Sequence, residues 1–299
     1  MKPRMTRPGA AKSLMIAVVI MFLMEHLMFG GITPAPPEQQ KSAVETTVPI
    51  VTSPPEPEPV IAAEPAAPEP EKPVELPAWK KFAVPIAVPP GMPTVTIIID
   101  DMGVNRMQTK AITALPGPLT TAFLPYPPKI AEEVESARAA GHEIMVHMPM
   151  EAEEVDLDTG DYVLRASMIP GTFETVLEDN LSKFGGYVGI NNHMGSRLTQ
   201  NAEAMRIVMA HLFHKGLLFV DSRTIGKSVA AETAAEYGVP HAARDVFLDN
   251  EPDVPSVMKN LEKLEALARK HGRAIAIGHP KAGTVEALRE WLPTLKEKG

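Results

Sequence analysis

Cysteine is absent from the 299 residues, which excludes disulfide scaffolds, thiol nucleophiles and Cys-ligated zinc. Any metal site must therefore be built from histidine and carboxylate ligands. Aromatic residues are scarce, with two Trp, four Tyr and nine Phe, and no aromatic-rich platform for stacking sugars stands out. Glycine is nearly missing from 33–93, where Gly91 stands alone, so that stretch is not a flexible Gly/Ser linker. Positive charge is not in excess either. The formal net charge is −8, which disfavours non-specific binding to nucleic acid.

What is present divides the chain in three. Lys2, Arg4, Arg7 and Lys12 precede an apolar run from Leu14 to Met24, interrupted by Glu25-His26 and resumed to Ile32. Basic-then-apolar order reads as a signal anchor or a cleaved signal peptide over 1–32. Either one sends the rest of the chain across a membrane, and the uncleaved anchor is favoured because no clean Ala-x-Ala site follows the core. The expected location is thus inner-membrane anchored with the body in the periplasm, or secreted after cleavage. Of the 31 prolines, 17 lie in 33–93 among Glu-Pro repeats. Such a segment favours extended polyproline II over helix or sheet and reads as a disordered linker or spacer. The remaining 94–299 is long enough to bury one core.

That body alternates apolar strands with helix-compatible stretches. Runs at 95–99, 119–124, 143–146, 187–190, 217–220, about 240–244 and 274–277 predict seven strands. Thr172 is the expected N-cap of a helix reaching Phe184. Strands separated by helices predict a parallel α/β protein, here a distorted (β/α)7-type barrel. The chemistry-bearing residues recur at one position in this pattern. Asp100-Asp101, His147, His193, Asp221, Asp245 and His279 all stand at C-terminal strand ends, which in such a barrel share one rim. Three histidines with several carboxylates is a metal-site composition. Tyr126, also just past a strand end, is the best single residue to stack on a sugar ring.

Several of these segments resemble the divergent polysaccharide deacetylase family. They are Ile97-Ile98-Ile99-Asp100-Asp101, Gly141-His142-Glu143-Ile144-Met145-Val146-His147, Asn191-Asn192-His193-Met194-Gly195-Ser196, Val220-Asp221-Ser222-Arg223-Thr224 and Ala276-Ile277-Gly278-His279-Pro280. Their order and spacing cover about 94–290. The resemblance implies a metal-dependent hydrolase, with zinc as the cofactor, that removes N-acetyl groups from an amino-sugar polymer of the cell envelope. It implies Asp100 as general base, Asp101 and His147 as metal ligands, and His279 as the acid that protonates the leaving amine. Asp221 or Asp245 would orient His279. The third ligand is His193 or Glu151, since a glutamate stands where the broader superfamily has its second histidine. Asn192 and Arg197 join Tyr126 as expected substrate contacts, although the superfamily's Arg-x-Pro-Tyr motif is not evident. That missing motif and Glu151 leave an alternative open, a catalytically silent deacetylase-like domain that binds envelope glycan or a protein partner.

Overall fold

The β-branched run Val95–Ile99 ends in three consecutive buried isoleucines, as expected of a strand covered on both faces, and it lies in the interior of a parallel sheet. This computed structural model describes residues 75–154 and 162–299. The expected membrane-directing segment and residues 33–74 of the expected linker lie outside the described residues. Among the described residues, no helix is long and apolar enough to cross a membrane.

The strands are β1 Thr94–Met102, β2 Thr120–Phe123, β3 Glu143–Met150, β4 Gly189–Met194, β5 Leu218–Asp221, β6 His241–Ala243, β7 Val246–Phe247 and β8 Arg273–Gly278. They form one sheet in the order β6-β5-β4-β3-β2-β1-β8-β7, with every pairing parallel. The expectation of seven strands is corrected to eight, because the single strand expected near 240–244 is followed at once by the two-residue β7. β6 and β7 lie at opposite edges of the sheet yet are separated in sequence only by Arg244-Asp245. Consecutive Cα atoms are ~3.8 Å apart, so two residues join the edges only if the sheet curls round on itself. The result is a parallel α/β barrel left open along one seam, between β6 and β7.

Side chains alternate across the strands. Ile97 and Ile99 pack outward with the helices, while Ile98 points inward to Ala122, Met145, Val188, Val220 and Ile277. Local signals set the helix ends. Asn105 caps Arg106–Thr113 by accepting from Met107 N and Gln108 N. The helix expected to start at Thr172 begins earlier, at Pro170, and ends at Leu181, because proline is pre-organised for a first turn. His142 fixes the mouth of β3: its Nδ1 accepts from Leu119 N and its Nε2–H donates to Thr113 O.

The expectation of extended chain up to residue 93 is also corrected. Ala78–Lys81 forms a helical turn, and Trp79 N donates to Gly216 O at 2.9 Å. Gly216 ends the helix Ala202–Lys215 with a left-handed φ of 63°, and a Cβ there would sit 3.0 Å from Pro77 Cβ. The bare glycine therefore serves both the helix end and the close approach of the incoming chain. The Trp79 ring lines an apolar cavity of ≈ 230 Å³ at the N-terminal mouth of the barrel, with Ile98, Met145 and Val220 behind it.

Candidate metal centre

β1 brings two neighbouring carboxylates to one place. Successive strand residues ordinarily point to opposite faces, so Asp100 and Asp101 should diverge. Instead the register with β2 slips between Ile99 and Met102, and Asp101 adopts a φ of 55°. This bulge turns both carboxylates toward β3, placing Asp100 Oδ2 3.6 Å and Asp101 Oδ1 3.4 Å from His147 Nε2. Left-handed backbone at a non-glycine residue is strained, and such strain collects at functional sites.

β3 and β4 supply the histidines. His147 is in register with Asn191, and Pro149 with His193. A period of two puts Asn191 and His193 on the face that carries His147. His193 Nδ1 lies 3.1 Å from His147 Nε2 and 3.1 Å from Asp101 Oδ1. Asp101, His147 and His193 thereby offer three ligand atoms within 4.8 Å of one another. A tetrahedral site with ~2.0–2.1 Å bonds to nitrogen and oxygen has ligand atoms about 3.3 Å apart, close to the three separations here. Asp101 Oδ1 is buried without a hydrogen-bond partner among the described residues, as suits an atom directed at a cation. The residues therefore fit a divalent metal.

Hydrogen bonds around the triad fix the tautomer of His147. Asn191 Nδ2 donates to Asp100 Oδ1 at 2.7 Å and to Ser222 Oγ at 3.2 Å. Its Oδ1 then accepts from His147 Nδ1–H at 2.9 Å, which leaves the His147 Nε2 lone pair facing the cluster. Burial pushes Asp100 above the usual carboxylate range, against the pull of His147 and His279. Burial acts the same way on Asp101, but His147 and His193 outweigh it and hold that group well below the range. His279, just past β8, stands opposite, its Nε2 3.9 Å from Asp101 Oδ2. Its Nδ1–H donates to Asp249 Oδ1 at 2.9 Å. Burial lowers the His279 pKa, yet the paired Asp249, together with Asp101 and Asp100, outweighs this and raises it above the ordinary histidine value.

The family model of the divergent polysaccharide deacetylases matches residues 97–299. The chain belongs to that family. It is 37% identical over 202 residues to a protein of Haemophilus influenzae, covering 67% of this chain and 71% of that one. It is 34% identical over 202 residues to YibQ of Escherichia coli, covering 67% of this chain and 62% of YibQ. The chain thus spans less than two thirds of YibQ. The crystal structure of ATU2773 from Agrobacterium tumefaciens is similar in fold, with 25% identity and a TM-score of 0.71 over 75% of this chain and 95% of that one.

Within this member of the family the structure brings together Asp100, Asp101, His147, His193 and His279. It does not bring Glu151 to them. Glu151 Oε2 accepts from Ala166 N at 2.8 Å, and its Oε1 lies 3.7 Å from Arg197 Nε, so between the two candidate third ligands His193 stands in the cluster. Arg197 in turn donates to Glu153 O. Asp221 does not reach His279: its Oδ1 accepts from Arg223 N at 2.7 Å, closing the turn after β5. Asp245 likewise accepts from Ile275 N. The orienting carboxylate is Asp249, which follows the short run Val246-Phe247-Leu248. An apolar stretch ending in an acid was the available signal, repeating the pattern of the other strand ends. Asn192 faces away from the triad and accepts from Ser222 N. Its neighbour Asn191 occupies the site, as the two-residue period from His193 requires. Tyr126 is half-buried beyond the C-terminal end of β2.

Proposed function

We propose that this domain is a metal-dependent hydrolase that removes N-acetyl groups from an amino-sugar polymer of the cell envelope. The observation that carries this reading is the convergence of Asp101, His147 and His193 between two proton-handling groups, Asp100 on one side and His279 on the other. A divalent metal, best matched by zinc, would be held by those three residues and would supply Lewis acidity to the acetamide carbonyl and to water. Asp100 is 3% exposed, and with Oδ1 held by Asn191 its Oδ2 is left to take a proton from the attacking water. A raised pKa makes it a stronger base than an ordinary carboxylate. As the water oxygen bonds to the acetyl carbon and the carbon–nitrogen bond breaks, His279 gives its Nε2 proton to the departing amine. Asp249 holds the other ring nitrogen throughout. The products are acetate and a free amino sugar.

The N-terminal order of Lys and Arg before an apolar run supports holding the domain on the periplasmic side of the inner membrane. The test is metal content together with acetate release from N-acetylglucosamine oligomers. Stoichiometric zinc, with both metal and acetate release lost in Asp101→Ala, is the expected outcome. Retained zinc with no turnover on any N-acetylated glycan would instead favour a silent glycan- or protein-binding domain.

A further inference from the structure

The barrel seam holds a cavity of ≈ 640 Å³ whose lining includes Asp221, Arg223, Thr224, Arg244 and Asp245. Arg244 is fixed there. Its Nε donates to Ser222 O at 2.7 Å, its Nη2 donates to Arg223 O at 2.9 Å, and the guanidinium lies 5.0 Å from the Phe247 ring centroid. The same Phe247 ring packs edge-on against His279, with centroids 5.5 Å apart, so Arg244 stands one aromatic ring from the proposed proton donor. Ser222, which Arg244 grips, also hydrogen-bonds Asn191 beside Asp100.

The fork is rigid, and its Nη1 has no hydrogen-bond partner among the described residues. Two carboxylates also line the cavity, but each already accepts from a backbone N–H, Asp221 from Arg223 and Asp245 from Ile275. Burial and the nearby Arg223 push the Arg244 pKa below its ordinary value, while Asp100 and Asp221 pull it back; neither arginine makes an ion pair with a carboxylate among the described residues. A planar guanidinium held by carbonyls and stacked on an aromatic face is pre-organised for two-pronged recognition of an oxyanion.

We propose that this cavity binds an oxyanion substituent, carboxylate or phosphate, carried by the substrate polymer beside the acetamide under attack. The substrate class is then an acidic N-acetylated glycan rather than a neutral one. This inference rests on the deacetylase reading for the position of the acetamide, but the anion site can be measured without turnover.

The experiment is calorimetric titration of the zinc-loaded full chain carrying Asp100→Asn with N-acetylglucosamine tetramers. The tetramers are neutral, carboxymethylated or phosphorylated, and the two anionic arms separate the two sources of the oxyanion. At low salt at least one anionic tetramer should bind about tenfold or more tightly than the neutral one, the scale of a charge-assisted pair. Adding Arg244→Gln should bring the ratio toward one, and Arg244→Lys should restore part of it. Because Arg244 also pins two backbone carbonyls, exposed Arg223→Gln serves as the second probe and should reduce the ratio with the melting temperature unchanged. Equal binding of all three tetramers, no binding of either anionic one, or a preference that survives Arg244→Gln overturns the proposal. Acetate release by the parent protein without anion preference overturns this inference alone. Anion preference without acetate release overturns the hydrolase reading and leaves the anion site standing.

Discussion

Asp249 holds His279 at two points: Oδ1 accepts from the ring Nδ1 at 2.9 Å, and Oδ2 accepts from the His279 backbone N–H at 2.7 Å. Thr284 Oγ1 donates to the same Oδ2 at 2.9 Å. One carboxylate thus sets the position of the imidazole, its tautomer and its affinity for a proton. Burial raises the Asp249 pKa, but the pairing with His279 outweighs burial and keeps it low.

Replacing that charge should move the pH profile. In Asp249→Asn the imidazolium loses its partner, so the His279 pKa falls while burial continues to oppose the charged form. Proton donation to the amine requires protonated His279, so the basic limb of acetate release should shift to lower pH. The rate at pH 8 should fall about 100-fold. A pH–rate profile of the variant checks both, and an unmoved basic limb would remove Asp249 from the mechanism.

Metal content distinguishes the two third-ligand candidates. Zinc stoichiometry after dialysis should fall well below one per chain in His193→Ala and in Asp101→Asn. Glu151→Gln should keep its zinc, since that carboxylate serves Ala166 N and Arg197. Chelation of the parent protein should abolish acetate release, and added zinc should restore it.

Glu143 offers a stability measurement far from the metal. It accepts from Thr120 Oγ1 and Val84 N, yet burial raises its pKa above the usual carboxylate value. The folded state therefore binds this proton more tightly than the unfolded state does. The resulting contribution is full below the unfolded pKa of about 4.3 and is lost as the pH rises through the folded value. The melting-temperature difference, Glu143→Gln minus parent, should grow from about pH 4 to about pH 7. A difference that ignores pH would rule the cause out.

The start of the stable domain can be located by truncation. A chain beginning at residue 75 keeps the Pro77–Gly216 contact, the Trp79-to-Gly216 hydrogen bond and the Trp79 cover over Ile98 and Met145. A chain beginning at 94 loses all three and should melt lower by about 5 °C or more. Equal melting temperatures would mean that the segment contributes nothing to the fold.

Much of the site was legible because strand ends are legible. The β-branched run before Asp100-Asp101 and the apolar run before His279 place those groups without any tertiary information. Asp249 was hidden because β7 has only two residues, too few to show a period, so Asp221 and Asp245 stood in for it. Asn191 and Asn192 are adjacent and chemically identical, and only the register with His147 tells which one faces the centre. Glu151 falls four residues after His147, but β3 runs on to Met150 and carries it away from the cluster. The docking of Trp79 was masked by the prolines around it, whose local preference for extended chain yields here to packing on Gly216.

The seam between β6 and β7 has a consequence for solubility. An open sheet exposes two rows of unpaired backbone groups, and such edges recruit strands from other chains. Here the edges are three and two residues long, and the link between them is an adjacent pair of opposite charges, Arg244-Asp245. The barrel can therefore stay unclosed without presenting a template on which a second copy could aggregate.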